Sequence, residues 1–154
     1  MITLVQRVQS ATVAVAGERV GSIGRGLVLF VGVESGDTPL DADTTAKKVA
    51  ALRIFPGRTP TDLSVQDIGG ACLVVSQFTL AAELGHGNRP DFTAAAPPAA
   101  ADALYQQVVS RLAAAGLVVA TGRFGAPMLV ELGNDGPFSL VLTVRGGKVV
   151  GRSA

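Results

Sequence analysis

The chain has 154 residues, of which 48% are hydrophobic and 16% charged, so it is expected to fold as one ordered domain, residues 1–154, rather than to remain disordered. Thirteen Lys and Arg against twelve Asp and Glu give a net charge of +1, which argues against a protein that grips DNA or other long duplexes through phosphates. No apolar run approaches the roughly 20 residues of a membrane span, and Gln6 and Arg7 interrupt any leader-like start, so a soluble, cytoplasmic protein is expected.

Residues 2–8 and 11–16 read as two strands, with a hairpin turn at Gly17-Glu18 and a third strand from Val20 to Ile23. Leu27 to Val31 is a continuous apolar run typical of a buried strand. Thr38, Pro39 and Asp41 then form a helix start with capping-box chemistry, and the helix is predicted to reach about Leu52. Residues 56–62 read as a loop and Asp67 to Gly70 as a turn before a strand at 71–77. Residues 81–96 are polar and Gly-containing, and read as a functional or mobile loop. Pro97-Pro98 opens a second helix with Leu104, Val108 and Leu112 on one face, stopped at Gly116. Strands follow at about 117–121, 128–132 and 138–144, and residues 145–154 read as a short extra strand or a loose tail. Helices and strands that do not alternate regularly imply an α+β fold, with a mixed, largely antiparallel sheet and two main helices. A sheet whose one side carries the helices needs more strands, or a partner subunit, on the other.

Two short motifs carry the candidate chemistry. Ser76-Gln77-Phe78-Thr79 closes an apolar strand, and Asn134-Asp135-Gly136-Pro137 precedes another. The Ser76 and Thr79 hydroxyls can orient a polar substrate or attack an ester, but a hydroxyl nucleophile needs an adjacent base. The competing structural reading is that both hydroxyls merely satisfy strand-end backbone groups. A third possibility uses main-chain N–H groups at the strand end as an oxyanion hole. His86, the only histidine, could form a triad with Ser76 and Asp102, although no Gly-x-Ser-x-Gly elbow surrounds Ser76. Cys72 is the only cysteine and sits in an apolar strand, as a small buried hydrophobe does. With His86 it offers no metal-ligand spacing, so no metal and no cofactor are expected. Gly136-Pro137 alone reads as an ordinary trans turn, because only about 5–6% of X–Pro bonds in folded proteins are cis.

Taken together, the ordered motifs resemble the D-aminoacyl-tRNA deacylase family. The resemblance rests on Gln6-Arg7-Val8, Leu52 to Phe55, Leu63 to Val65 with Asp67 to Gly70, and Val74 to Leu80. It continues through Arg89-Pro90 with Phe92, Ala96 to Pro98, Thr121 to Ala126 with Met128, and Asn134 to Pro137, covering residues 1 to about 144. It implies a metal-independent homodimer that hydrolyses the ester between a D-amino acid and tRNA, and in some members glycine mischarged onto tRNA for alanine. Ser76, Gln77, Phe78 and Thr79 would form the pocket floor. Gly136-Pro137 would be cis and reach into the partner subunit's pocket, where its carbonyls exclude an L side chain. Main-chain groups around Phe78 and Thr79 would bind the substrate, the terminal ribose hydroxyl would assist the attacking water, and Arg7 would brace the Gly-Pro segment or else form a surface ion pair.

Four departures from the family pattern are expected to matter locally. Ser139 replaces a usual Thr, Phe138 replaces a smaller aliphatic and is expected to tighten the pocket mouth, Pro127 replaces an acid, and residues 57–62 lack the usual basic segment. Two rival functions stand beside the editing esterase. One is a non-catalytic module that binds aminoacyl-tRNA or a D-amino acid. The other is a Ser or Thr hydrolase of small esters that depends on His86.

Overall fold

The central strand β1 (Ile2–Val15) alternates in burial, because odd-numbered side chains from Met1 to Arg7 face one side of the sheet and even-numbered ones the other. The structure, a computed structural model, describes residues 1–151. The two strands expected at 2–8 and 11–16 are one continuous strand. Its exposed Gln9 and Ser10 mark where it exchanges neighbours, from β3 (Gly26–Gly32) to β2 (Glu18–Ile23). The β1–β2 turn is Ala16-Gly17, both at positive φ, rather than Gly17-Glu18.

Helix α1 (Pro39–Ala51) leads on to β4 (Ala71–Ser76), and α2 (Pro98–Ala114) leads on to β5 (Val118–Thr121). These crossovers make β3, β4 and β5 parallel neighbours. The last long strand is β6 (Leu129–Arg145), which returns antiparallel along β1, and β7 (Lys148–Val149) pairs with its end. The sheet order is β5-β4-β3-β1-β6-β7, with β2 beside β1, so the sheet is mixed and mostly antiparallel, as expected for the α+β class. The strands expected at 128–132 and 138–144 are both parts of β6, which begins at Leu129, because pairing with β1 resumes past the turn-like residues between them. Lys148 and Val149 are paired rather than loose; residues 152–154, also within the expected extension, lie outside the described residues.

Both faces of the central strands are buried, which is why they read as unbroken apolar runs. Val5, Leu27, Leu29, Cys72 and Val74 join Tyr105, Val108 and Leu112 in a core under the helices. Val28, Leu73 and Val75 point the other way and pack with Val8, Val13 and Ile23. The curl of β1 onto β2 supplies that second layer. Tyr105 ties α2 to the sheet by donating its hydroxyl to the Val74 carbonyl at 2.8 Å, and burial pushes its phenol up to about 12.

The start of α1 is joined to the end of β6 by one buried carboxylate. Asp41 accepts the Thr38 N–H at 2.8 Å, the Thr38 hydroxyl at 2.9 Å and the Gly147 N–H at 2.8 Å. Burial pushes this carboxyl up. The hydrogen bonds from Gly147 and Thr38, with the Met1 ammonium nearby, outweigh that and hold it below its ordinary value of 3.8. Asp41→Ala is therefore expected to cost about 2 kcal/mol of stability at neutral pH. Because the folded-state value is depressed, this contribution is complete above the unfolded value and disappears as pH falls through the folded one. Denaturant unfolding at pH 7 and at pH 3 should show the gap between wild type and variant narrowing in acid.

Candidate functional site

Ser76 ends β4, and the chain turns at once into a single 3-10 turn, Phe78–Ala81. Three contacts fix the turn. The Gln77 N–H donates to the Val31 carbonyl at 2.8 Å, the Leu80 N–H to Gln77 at 3.2 Å, and the Ala82 N–H to Thr79 at 3.1 Å. Gly32 makes room for it, since a Cβ there would lie 2.9 Å from both the Gln77 oxygen and the Leu80 Cβ. The first N–H groups of such a turn have no acceptor within it. The Phe78 and Thr79 N–H groups donate to no main-chain carbonyl outside the turn among the described residues. They leave the sheet end as two adjacent, oriented donors.

The side chains of the motif form no assembled nucleophile. The Gln77 amide donates to the Thr79 hydroxyl, and neither Ser76 nor Thr79 is hydrogen-bonded to a histidine or carboxylate among the described residues. His86 is exposed at the tip of the hairpin closed by Glu83 and Asp91, and Asp102 accepts instead from Gln106 at 3.3 Å. The Ser76-His86-Asp102 arrangement is thus not built. Cys72 is fully buried, and burial raises its thiol to about 12, so no thiolate forms there near neutral pH. Among the described residues no group of three or more His, Cys, Asp or Glu could hold a metal ion. No described helix is long and apolar enough to cross a membrane.

The second motif lies elsewhere on the sheet. Gln6 pairs with Ser139 and Val8 with Asn134, so four residues, 135–138, stand opposite Arg7 alone. The surplus residues form a bulge, with the Gly136–Pro137 peptide in the cis form at its crest and both residues exposed. Asn134 closes the base by donating to the Arg7 carbonyl at 3.1 Å and the Phe138 carbonyl at 3.2 Å. Gln6 donates to the Ser139 hydroxyl at 2.9 Å.

Arg7 supports the bulge from below. It occupies the core-facing register of β1 and is only 7% exposed, which removes the surface ion-pair reading. Its guanidinium donates to the carbonyls of Ile54 at 2.6 Å, Asp135 at 3.2 Å and Gly136 at 3.2 Å, and pairs with the Asp135 carboxylate at 3.0 Å. Phe138 lies under that guanidinium, 4.6 Å from ring centroid to Cζ. Its half-buried ring packs against the core and gives Arg7 a cation–π support.

Several site residues were not visible in the sequence. Gly32 matters through a missing Cβ, and Phe92 through a ring partner fourteen positions away. The inward register of Arg7 was a usable signal, since a cation on a core-facing position needs dedicated acceptors. The segment 81–96 is also better tied than its composition suggests: Glu83 pairs with Asp91 and Glu34 with Ala95. At residues 57–62, Asp62 is buried and binds Arg53 at 2.8 Å and the Arg58 N–H at 2.8 Å. That loop is therefore organised around an acid.

Comparison with known proteins identifies the family. A family model described as D-Tyr-tRNA(Tyr) deacylase matches residues 4–143. A protein of Cereibacter sphaeroides named D-aminoacyl-tRNA deacylase is 51% identical over 141 residues, 91% of this chain and 97% of that protein. One of the same name from Ruegeria pomeroyi is 50% identical over 145 residues, 94% of this chain and all of that protein. Among solved structures, a c-Myc DNA unwinding element binding protein superposes with a TM-score of 0.89 at 35% identity, over 95% of this chain and 100% of that one. A structure described as a probable eukaryotic D-amino acid tRNA deacylase superposes with a TM-score of 0.74 at 17% identity, over 91% and 97%, a likeness of fold alone. The chain belongs to the D-Tyr-tRNA(Tyr) deacylase family.

Proposed function

We propose that this protein hydrolyses the ester of D-aminoacyl-tRNA, releasing free tRNA and the D-amino acid, and does so as a cytoplasmic homodimer without metal or cofactor. The observation that carries the chemistry is the pair of main-chain donors at Phe78 and Thr79, on a turn anchored to β3. An aminoacyl ester is already activated, so a positioned water and an oxyanion hole suffice. Water adds to the ester carbonyl carbon, and the negative oxygen receives the two N–H groups. The bond to the ribose oxygen then breaks, and that oxygen takes the proton. Removing one such donor typically costs about 10²–10³ in kcat. The neighbouring ribose hydroxyl supplies the polar contact that holds the water, since no side-chain base among the described residues adjoins Ser76 or Thr79.

Chiral selection is assigned to Gly136-Pro137 of the partner subunit. Sheet register supports a cross-subunit arrangement. Ser76 aligns across β3 and β1 with Val31, Thr3 and then Leu142, whereas the bulge stands opposite Arg7. Three strand spacings separate β4 from β6, about 14 Å, and four residues separate Thr3 from Arg7, about 13 Å more along the strand. Within one chain the two motifs are thus too far apart to hold one amino acid. The face opposite the helices also carries the row Val75, Phe30, Leu4 and Val141, of which Val141 is 60% exposed. A second copy seated there buries the exposed end of that row and brings a bulge towards each turn. Rigid carbonyls at the crest then meet any L side chain, while D side chains point outward and are tolerated in variety. Glycine, lacking a side chain, passes the same screen, so glycine on tRNA for alanine is expected to be removed as well.

The DNA element named for one structural relative belongs to that protein. For this chain, a net charge of +1 suits a pocket for an RNA end better than a duplex-binding face. Deacylation of matched D- and L-tyrosyl-tRNA with chelator present tests the function. Rapid release from the D substrate alone is expected, and the His86→Ala variant should match wild type. No release from either substrate would favour the binding module, and loss of activity in His86→Ala would favour a conventional hydrolase.

The source of catalysis separates in a second experiment. Thr79→Ala should retain kcat within about tenfold, whereas loss of a true nucleophile costs on the order of 10⁶. Phe78→Pro deletes one main-chain donor at a turn position that accepts proline, and should lower kcat by about 10²–10³. Phe78→Leu, which keeps that N–H, should not show this kcat loss. A collapse of kcat in Thr79→Ala would overturn the main-chain mechanism.

A further inference from the structure

Two aromatic rings stand in water beside the reaction-site turn. Phe78 is 56% exposed and Phe92 is 37% exposed, and neither belongs to either core. They meet edge to face, with centroids 5.3 Å apart and planes at 69°. The backbone under each ring is fixed. Phe78 opens the turn that hangs from Val31. Phe92 follows the Glu83–Asp91 pairing, and its carbonyl accepts the Ala95 N–H at 3.0 Å. The Asp91 carboxylate accepts the Thr93 N–H at 2.8 Å, and Ala94 and Ala96 bond to Ser35 and Val33 just beyond β3. The corner is therefore preorganised although its rings are unpacked, which is the reverse of what a purely structural aromatic pair does.

We propose that the Phe78–Phe92 corner is a stacking platform for an unpaired nucleobase in the RNA tail that carries the aminoacyl ester. The proposal deepens the function above and rests on it for the choice of an RNA end. Continuity with the reaction site identifies the occupant. The Phe78 ring belongs to the residue whose N–H faces the ester oxygen, and the ester sits on a ribose that itself bears a base. A base on that sugar, or on the one before it, lies within reach of the corner. Recognition through a π face suits a protein of net charge +1, because stacking needs no cationic track and tolerates any base. The exposed Arg89, three residues before Phe92, adds one cation suited to a tail phosphate.

The test uses the full-length protein and an uncharged RNA hairpin with an unpaired 3′ tail, so that binding is read independently of hydrolysis. Phe92→Ala and Phe92→Leu should each weaken binding about tenfold, and Phe92→Trp should restore it. On a hairpin whose tail sugars carry no bases, wild type and Phe92→Leu should bind equally weakly. With D-tyrosyl-tRNA, the same variants should raise KM about tenfold and leave kcat within about twofold. Unchanged binding in Phe92→Leu would overturn the platform, as would an equal loss on the baseless tail. A shift in oligomeric state of Phe92→Leu by sedimentation would assign the corner to a protein contact and likewise overturn it. If wild type bound the hairpin in this base-dependent way yet hydrolysed neither D- nor L-tyrosyl-tRNA, the platform would stand and the deacylase function would fail.

Discussion

The buried guanidinium of Arg7 is the contact on which the second motif depends. A planar fork with five donors can satisfy several carbonyls at once in fixed directions. Here it holds Ile54, Asp135 and Gly136 while its charge is compensated by the Asp135 carboxylate and the face of Phe138. The bulge at 135–138 has no ladder partner other than Arg7, so without the fork the Asp135 and Gly136 carbonyls would have only water to define them. An ammonium in the same place has no fork with which to orient them. The departure at Phe138 fits this picture, because a larger ring supports the same cation from below.

The rest of the sheet positions the first motif. β4 is buried on both faces and short, so the chain must leave the sheet abruptly after Ser76. The turn that follows is pinned to β3 by Gln77 and admitted by Gly32, and this exposes two N–H groups at a rigid sheet end rather than on a loose loop. Rigidity matters because an oxyanion hole acts by being oriented before charge develops. The same sheet keeps the turn and the bulge apart within one chain, and the site proposed above combines them across two chains.

Much of this was legible in the residues. Unbroken apolar runs at 27–31 and 71–75 marked doubly buried strands, Thr38-Pro39 with Asp41 marked the start of α1, and Gly116 marked the end of α2. The two long strands were not legible as single elements. Gln9-Ser10 and Asn134 to Pro137 carry local turn chemistry, yet the β1–β6 pairing resumes beyond both, and long-range pairing overrides a local signal. The motif at 76–79 was visible as a candidate site, but the orientation of its N–H groups became specific only when the turn and its anchors were seen. The partners of Arg7 at Ile54 and of Phe78 at Phe92 lie in irregular segments, where periodicity carries no information.

The central claim is that each active site takes its turn from one subunit and its bulge from the other, and heterodimers with distinguishable tags test it directly. In one heterodimer, Phe78→Pro in one subunit is combined with Gly136→Ala/Pro137→Ala in its partner. In the other, one subunit carries all three changes and its partner is wild type. Release from D- but not L-tyrosyl-tRNA is then measured for both. The account predicts D-selective release from the first heterodimer, which contains one intact composite site, and none from the second. Full D-selective activity confined to the second would mean that each subunit serves itself, and would contradict the account.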